Sequence, residues 1–228
     1  MSDILSYSHV NSFDEFINAN FHNSINAVGW MRDLNVDFRE IVERLTLEDN
    51  ITEVYPEDLL DLELSENGKK AREIILNDYQ SLLEYGAQPS INLIKNYQRD
   101  DELDFISTDV YSYHVDRSPV GLPTFLCTYF GAASDIIPNN QAIQKIKIPS
   151  VREKLKAICD ESESNFEDFL KEHFFDLHYE ALPDAQPINL GNGNLWKLAV
   201  DHPNQKVLPC VHRAPKENDN ELRLMLIC

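Results

Sequence analysis

The segment HVDRSPVGLPTFLCTYF, residues 114–130, decides the fold assignment, because it joins a possible metal-binding pair to a strongly apolar run. Side chains two positions apart point to the same face of an extended chain, so His114 and Asp116 can meet at one ion. Residues 122–130 are mostly apolar, which predicts a strand that is buried on both faces. We therefore expect a metal site beside a β-rich core.

A third ligand is expected near the end of the chain. Two imidazoles and one carboxylate form the facial triad that holds non-haem Fe(II) and leaves coordination positions open. His212 is the best candidate for the second imidazole, because it follows the β-like run of residues 206–211. His202, in a turn beside a proline, is the weaker alternative. A strand expected at residues 222–227 then carries Arg223, 11 residues after His212.

This order of residues, His-x-Asp, a long gap, His and then Arg, resembles that of the Fe(II)- and 2-oxoglutarate-dependent oxygenases. The resemblance implies a double-stranded β-helix in which His114, Asp116 and His212 bind Fe(II). It also implies that 2-oxoglutarate is the cosubstrate, that it is decarboxylated oxidatively to succinate, and that a bound substrate is hydroxylated or otherwise oxidised. The primary substrate, a small molecule or a peptide, is left open.

Three residues are candidates for binding the cosubstrate. A guanidinium matches the distal carboxylate of 2-oxoglutarate bidentately, and both Arg223 and Arg213 are available. Arg213 is adjacent to a predicted ligand and would point away from the metal in a regular strand, so Arg223 is favoured. Tyr129 lies in the apolar strand, where its hydroxyl could bind a carboxylate or, as a core tyrosine, a backbone carbonyl.

A second resemblance involves the segments HVDRSPVGLPTFLCTYFGAASDIIP and LWKLAV…VLPCVHRAP…LRLMLIC. They resemble a family of bacterial proteins, without an assigned activity, that carries a His-Val-Asp…Cys-Thr-Tyr stretch and a late Val-His-Arg-Ser-Pro stretch. The resemblance covers residues 111–138 and 195–227, with weaker similarity around residues 26–34. Ala214 stands where the family has serine, so no role is implied for that hydroxyl. The pairing of the two segments is supported, but no reaction is implied.

The fold expected from these observations is α+β, with a double-stranded β-helix of the jelly-roll or cupin-like type at residues 101–228. Residues 1–100 are predicted to be mainly helical and to pack on this core. Their longest helix is expected at residues 57–85, with a break near residues 65–68 and an end at Gly86.

A helical insertion is predicted within the core at about residues 150–182, where it could cover the opening of the barrel. It contains His173 and His178. Because these histidines are five positions apart, they lie on different faces of a helix and do not form a metal-binding pair. We interpret them as surface or packing residues.

Composition limits the partners. With 20 Lys and Arg against 39 Asp and Glu, the formal charge is −19, which disfavours nucleic acid and anionic membrane surfaces. No apolar run approaches the length of a membrane span, and the start lacks the pattern of a signal peptide, so we expect a cytoplasmic protein. The four cysteines show no C-x-x-C pair, which predicts reduced thiols.

Two other functional classes stay open. A cupin-like metal protein without 2-oxoglutarate chemistry could use the same ligands, because His and Asp also bind Zn(II), Mn(II) and Ni(II). A non-catalytic interaction protein would use the helical region as its partner surface. The presence of both histidines, the aspartate and the late arginine favours an intact metal site over a decayed one.

Overall fold

Residues 6–159 and 165–228 are described by a computed structural model, and they form a mixed α+β fold with two large curled sheets. The α-helices are α1 (Phe13–Asn18), α2 (Arg39–Arg44), α3 (Pro56–Leu60), α4 (Glu66–Tyr85), α5 (Pro149–Ile158) and α6 (Phe166–Glu172). The strands are β1 (Tyr7–Val10), β2 (Ala27–Trp30), β3 (Ile51–Val54), β4 (Ser90–Ile94), β5 (Tyr113–His114), β6 (Thr124–Phe130), β7 (Asp135–Ile137), β8 (Ala142–Gln144), β9 (His178–Ala181), β10 (Ile188–Asn189), β11 (Leu195–Leu198), β12 (Val211–Arg213) and β13 (Arg223–Ile227).

The strands divide into two sheets. The first has the order β1-β2-β11-β6-β13-β4-β3, and the second has the order β10-β7-β12-β5-β9-β8. Neighbouring strands are antiparallel, except for the parallel pair β1 and β2. The α+β class predicted from the sequence is therefore confirmed, and the two sheets are compatible with a β-sandwich or a jelly roll.

Helices α1 to α4 cover the outer face of the first sheet. An apolar cluster joins the helices to the strands, with Phe16, Ile41, Leu59, Ile75 and Leu82 facing Phe125, Cys127, Leu224 and Leu226. The helices are amphipathic, so burial of one apolar stripe against the sheet is the main contribution to their stability.

The inner surface, where the two sheets face each other, holds a second apolar cluster. It includes Leu126, Met225 and Trp196 of the first sheet and Ile136 of the second. Residues of β6 therefore alternate between two buried environments, since Phe125 and Cys127 face the helices whereas Leu126 faces the second sheet. This confirms that β6 is buried on both faces.

Helix α4 is capped by Ser65 and Gly86, which lie within the predicted break and at the predicted end. The Ser65 hydroxyl accepts a hydrogen bond from the Gly68 N–H at 3.1 Å and begins the helix. Gly86 ends it with φ of 98°, a left-handed conformation that glycine adopts without a Cβ penalty. The predicted break and end of this helical region are both confirmed.

Residues 6–100 contain more β-structure than the prediction of a mainly helical region implies. Strands β1 to β4 accompany the four helices, and β4 lies between β13 and β3 in the first sheet. Strands β3 and β4 have only four and five residues. Runs that short do not show a decisive periodicity.

The insertion is helical only in part. Helices α5 and α6 lie within it, but β9 follows and pairs with β5 in the second sheet. The prediction that helical structure extends to residue 182 is therefore wrong, and His178 is a strand residue. Within the described residues, no helix is long and apolar enough to cross a membrane, and all four cysteines are free.

Candidate metal centre

Two of the predicted ligands lie opposite each other on neighbouring strands. His114 on β5 is paired with His212 on β12, and their ring centroids are 4.4 Å apart. Paired residues of antiparallel strands project from the same face. The partner of His212 on its other side is Ile136, which belongs to the apolar cluster between the sheets. Both histidines therefore project into the inner surface.

Asp116 completes the cluster just beyond the end of β5. Its Oδ1 lies 3.9 Å from Nε2 of His114, and its Oδ2 lies 3.5 Å from Nε2 of His212. One potential ligand atom from each residue lies within 4.8 Å of the other two. Bonds of about 2.1 Å would hold neighbouring ligand atoms about 3 Å apart. Small side-chain rotations would therefore close the cluster around one ion.

The backbone orients both imidazoles for metal binding. Nδ1 of His114 donates to the Ser112 carbonyl at 2.8 Å, and Nδ1 of His212 donates to the Cys210 carbonyl at 3.2 Å. A carbonyl only accepts hydrogen bonds, so the proton of each neutral ring is on Nδ1 and the lone pair is on Nε2. Such carbonyl contacts typically orient metal-binding histidines.

The protonation of the cluster also suits a cation. Burial lowers the pKa of His114 to about 4, with a smaller effect from His212, so its ring is neutral near pH 7. Burial raises the pKa of Asp116, but His212 and a hydrogen bond from Thr124 outweigh it, and the pKa is lowered. Thr124 Oγ1 donates to Asp116 Oδ2 at 2.6 Å. The cluster thus offers the neutral imidazole of His114 and the carboxylate of Asp116, beside Nε2 of His212.

This donor set fits a divalent transition metal. Two imidazoles and a carboxylate suit Fe(II) with open positions, and they also suit Zn(II), Mn(II) or Ni(II). His202 is not part of the cluster and lies beside Gly121 instead. The structure thus brings together the three residues predicted as metal ligands and leaves out the fallback.

Arg223 occupies a buried polar pocket on the same inner surface. Its guanidinium donates to the Tyr97 hydroxyl at 3.1 Å and to the hydroxyls of Thr128 and Ser134, both at 2.9 Å. Its Nε has no hydrogen-bond partner, although the residue is only 3% exposed. No carboxylate among the described residues forms an ion pair with it. This is a buried cation surrounded by neutral hydroxyls.

The other two cosubstrate candidates have different surroundings. Arg213 binds Asp135 with a closest contact of 2.9 Å and lies over the Tyr113 ring, so its charge is already paired. Tyr129 projects from the outer face of the first sheet, where its hydroxyl donates to Asp78 at 2.8 Å. The structure therefore does not bring Arg213 or Tyr129 together with Arg223.

A third histidine extends the row of ligands. His178 on β9 is paired with His114, and their ring centroids are 5.8 Å apart. It is buried, and its Nδ1 has no hydrogen-bond partner. Burial lowers the pKa of His178 to about 3, with smaller effects from His114 and Lys145. The sequence interpretation missed this residue because its segment has helical composition, and only the pairing of β9 with β5 places it here.

Comparisons of the chain with protein-family models, curated proteins and solved structures gave no match. Function is therefore inferred from side-chain contacts and from the order of the strands. Three groups share the inner surface: the metal centre (His114, Asp116, His212), the Arg223 pocket (Arg223, Tyr97, Thr128, Ser134) and the His178 and Lys145 pair.

Proposed function

We propose that this chain is a non-haem Fe(II)- and 2-oxoglutarate-dependent oxygenase. In this proposal the metal centre holds iron, and Arg223 binds the distal carboxylate of 2-oxoglutarate. The observation that carries the proposal is the buried guanidinium of Arg223, which has only hydroxyl partners on the surface that also bears the three potential ligands.

The order of the strands supports a double-stranded β-helix. Strands β4, β6, β11 and β13 lie in the first sheet, and β5, β7, β10 and β12 lie in the second. Along the chain they alternate from β4 to β7 and again from β10 to β13, with β7 and β10 both in the second sheet. Each group of four is contiguous, in the orders β4-β13-β6-β11 and β5-β12-β7-β10. Two interleaved four-stranded sheets are typical of a jelly roll. Strands β1 to β3 would then extend one sheet, and β8 and β9 the other.

The charge of the Arg223 pocket supports an anionic ligand. Burying a charge without a counter-charge is costly, and hydroxyl groups compensate that cost only in part. A carboxylate placed against the guanidinium would supply the missing charge and accept a hydrogen bond from the unpartnered Nε. Thr128 and Ser134 could then donate their hydroxyl protons to the same carboxylate.

His114, Asp116 and His212 would hold the iron and leave coordination positions open. When bound, iron supplies the redox chemistry that couples decarboxylation of 2-oxoglutarate to oxidation of the substrate. The residues of this chain orient the reactants: the carbonyls of Ser112 and Cys210 hold the imidazoles, and Thr124 holds Asp116. Arg223 would orient the bound cosubstrate by holding its distal carboxylate.

A cupin-like metal protein without 2-oxoglutarate chemistry is the second candidate. Two imidazoles and a carboxylate bind several divalent metals, and affinity alone does not select iron. The donor set is therefore equally compatible with a cupin-like protein. It gives no reason, however, for the uncompensated charge of Arg223. The two candidates differ in whether 2-oxoglutarate chelates the bound metal.

Anaerobic titration of Fe(II) in the presence of 2-oxoglutarate tests the proposal. We expect the weak visible metal-to-ligand charge-transfer band of the chelated complex in the wild-type protein. Both Asp116→Ala and His212→Ala are expected to lose the band and iron binding while they keep the fold, checked by circular dichroism. His202→Ala is the matched control, since that histidine lies outside the cluster.

Each outcome has a definite meaning. Iron binding without the band in the wild-type protein would exclude the oxygenase and favour the cupin-like protein. Full iron occupancy in either ligand variant would remove that residue from the metal centre, and loss of iron in His202→Ala would show that a different set of ligands is used.

A further inference from the structure

A row of four paired residues crosses the inner surface of the second sheet. Ile136 is paired with His212, His212 with His114, and His114 with His178. The two potential metal ligands are in the middle of the row. Ser134 of the Arg223 pocket precedes β7 at one end, whereas His178 lies on β9 at the other end. The metal centre therefore has two polar flanks, and the proposed function uses only one.

His178 has a buried ring nitrogen without a hydrogen-bond partner in the described residues. It is 4% exposed, and its Nδ1 makes no hydrogen bond. An unsatisfied buried polar atom is costly and is rare in proteins unless a ligand or water completes it. In strand pairing, His178 and His114 share a face, so the unsatisfied ring lies directly beside the metal centre.

Lys145 adds a positive charge to this flank. Its ammonium donates to the Ser112 hydroxyl at 2.8 Å, which leaves two of its three protons for other acceptors. No ion pair with Lys145 occurs among the described residues. Three carboxylates lie near the ammonium without forming an ion pair with it, Glu180 with the strongest effect and then Asp109 and Asp100. Asp100 and Asp109 already accept hydrogen bonds from backbone N–H groups, including those of Thr108 and Tyr111.

We propose that Lys145 and His178 bind an oxyanion group of the primary substrate, a carboxylate or a phosphate, and so place the substrate on the side of the metal centre opposite Arg223. Lys145 and the unsatisfied His178 ring can both donate hydrogen bonds, so the group that completes them is an acceptor. The assignment of this oxyanion to the primary substrate rests on the proposed function. The oxyanion site itself does not need the metal.

Binding of inorganic phosphate to the full-length chain tests this inference. The measurement uses the Arg223→Met background, so that the Arg223 pocket cannot capture the anion, and EDTA, so that no metal contributes. We expect saturable phosphate binding by calorimetry, which serves all variants, and shifts of the His178 imidazole resonances in the NMR spectrum of proteins that keep His178. A matching titration with acetate shows whether a carboxylate binds as well as a phosphate.

Variants assign the binding to these two side chains. Lys145→Met and His178→Phe are each expected to weaken phosphate binding about tenfold or more, because each removes a hydrogen bond to a charged group. His178→Gln keeps a side-chain donor and is expected to recover part of the affinity. Lys147→Met is the matched control, since Lys147 is an exposed lysine of the same short turn.

Unchanged phosphate affinity in both Lys145→Met and His178→Phe would overturn the inference, as would binding that appears only when Arg223 is intact. These results are independent of the iron titration. If iron failed to bind but phosphate shifted His178, the oxyanion site would stand and the oxygenase would not; the reverse result would leave the oxygenase and remove this site.

Discussion

The two faces of the first sheet each bury an arginine, and the two arginines have different partners. On the outer face, Arg32 donates to Asp78 at 2.6 Å and to the Gly193 carbonyl at 2.7 Å. Tyr129 completes this network by donating to the other oxygen of Asp78. On the inner surface, Arg223 has hydroxyl partners and no ion pair among the residues that the structure describes.

This difference separates a structural charge from one that is available for binding. The outer network contains its own counter-charge, so its parts stabilise each other and need nothing from outside. In the Arg223 pocket no carboxylate of the described residues contacts the guanidinium, Glu217 acts on it only from a distance, and Nε is unpartnered. Unsatisfied buried polar groups are rare in folded proteins, and those that occur tend to be at functional sites. The environment of Arg223 therefore favours a role in ligand binding.

The largest expected effect comes from breaking the outer network. Asp78→Ala leaves the Arg32 guanidinium buried without its counter-charge, which typically costs about 3–5 kcal/mol of folding free energy. Urea unfolding measures this loss. The control is Asp135→Ala, which removes the partner of the more exposed Arg213 and should cost at most about 1 kcal/mol. Equal losses in the two variants would contradict a structural role for Asp78.

Removing the charge of Arg223 should affect ligand binding rather than stability. Arg223→Met takes away an uncompensated buried cation, so we expect stability to stay unchanged or to rise. Affinity for 2-oxoglutarate should fall about 100-fold, the effect of losing hydrogen bonds between charged groups. Calorimetry on the Mn(II)-loaded protein and urea unfolding give the two quantities. A variant that loses stability but binds 2-oxoglutarate normally would make Arg223 a structural residue.

The pH dependence of stability also distinguishes the inner surface from the outer network. The pKa of His114 is about 4 and that of His178 about 3 in the folded protein, below the ordinary value of 6.5. The unfolded chain therefore binds more protons between pH 6.5 and 4, so stability is full above pH 6.5 and falls as the pH is lowered through this window. The guanidinium of Arg32 takes up no proton there.

Urea unfolding of the metal-free protein at pH 7, 6 and 5 measures this dependence. Each histidine contributes up to one proton, or about 1.4 kcal/mol per pH unit. His114→Gln should reduce the slope by about that amount, whereas Arg32→Lys should leave the slope unchanged at a lower overall stability. An identical slope in the wild-type protein and in His114→Gln would show that His114 is not buried as a neutral ring.

The His114 and Asp116 part of the candidate metal centre was predictable because its signal is local. The spacing of His114 and Asp116 follows from the period of a strand, and the preference for Arg223 over Arg213 follows from the same alternation. The caps of α4 are also local, since Ser65 and Gly86 act within one turn of the helix. Each of these features depends on residues a few positions apart, where the sequence pattern and the geometry correspond directly.

The polar residues around the metal centre depend on contacts that the sequence does not show. Tyr97 and Ser134 lie 126 and 89 positions from Arg223 in the chain. His178 faces the metal centre only because β9 pairs with β5. The sequence also could not say which face of β6 is inward, since both faces are apolar, and this is why Tyr129 was a candidate where Thr128 is the residue in contact.

The smallest expected effect compares Thr128 and Tyr129, neighbours that face opposite sides of the first sheet. Thr128→Val removes one hydroxyl from the Arg223 pocket, and Tyr129→Phe removes one from the outer network. Each hydrogen bond is worth about 1 kcal/mol, so we expect Thr128→Val to weaken 2-oxoglutarate binding about fivefold and Tyr129→Phe to lower stability by a similar free energy.

The pattern across the two variants matters more than either magnitude. If binding changes only in Thr128→Val and stability falls mainly in Tyr129→Phe, adjacent hydroxyls on one strand have separate roles because the sheet lies between them. If Tyr129→Phe weakened 2-oxoglutarate binding as much as Thr128→Val does, the ligand would have to be sensed through the sheet or bound on its outer face. Binding on the outer face would move the cosubstrate site away from the inner surface. An effect through the sheet would couple the site to α4, which carries Asp78.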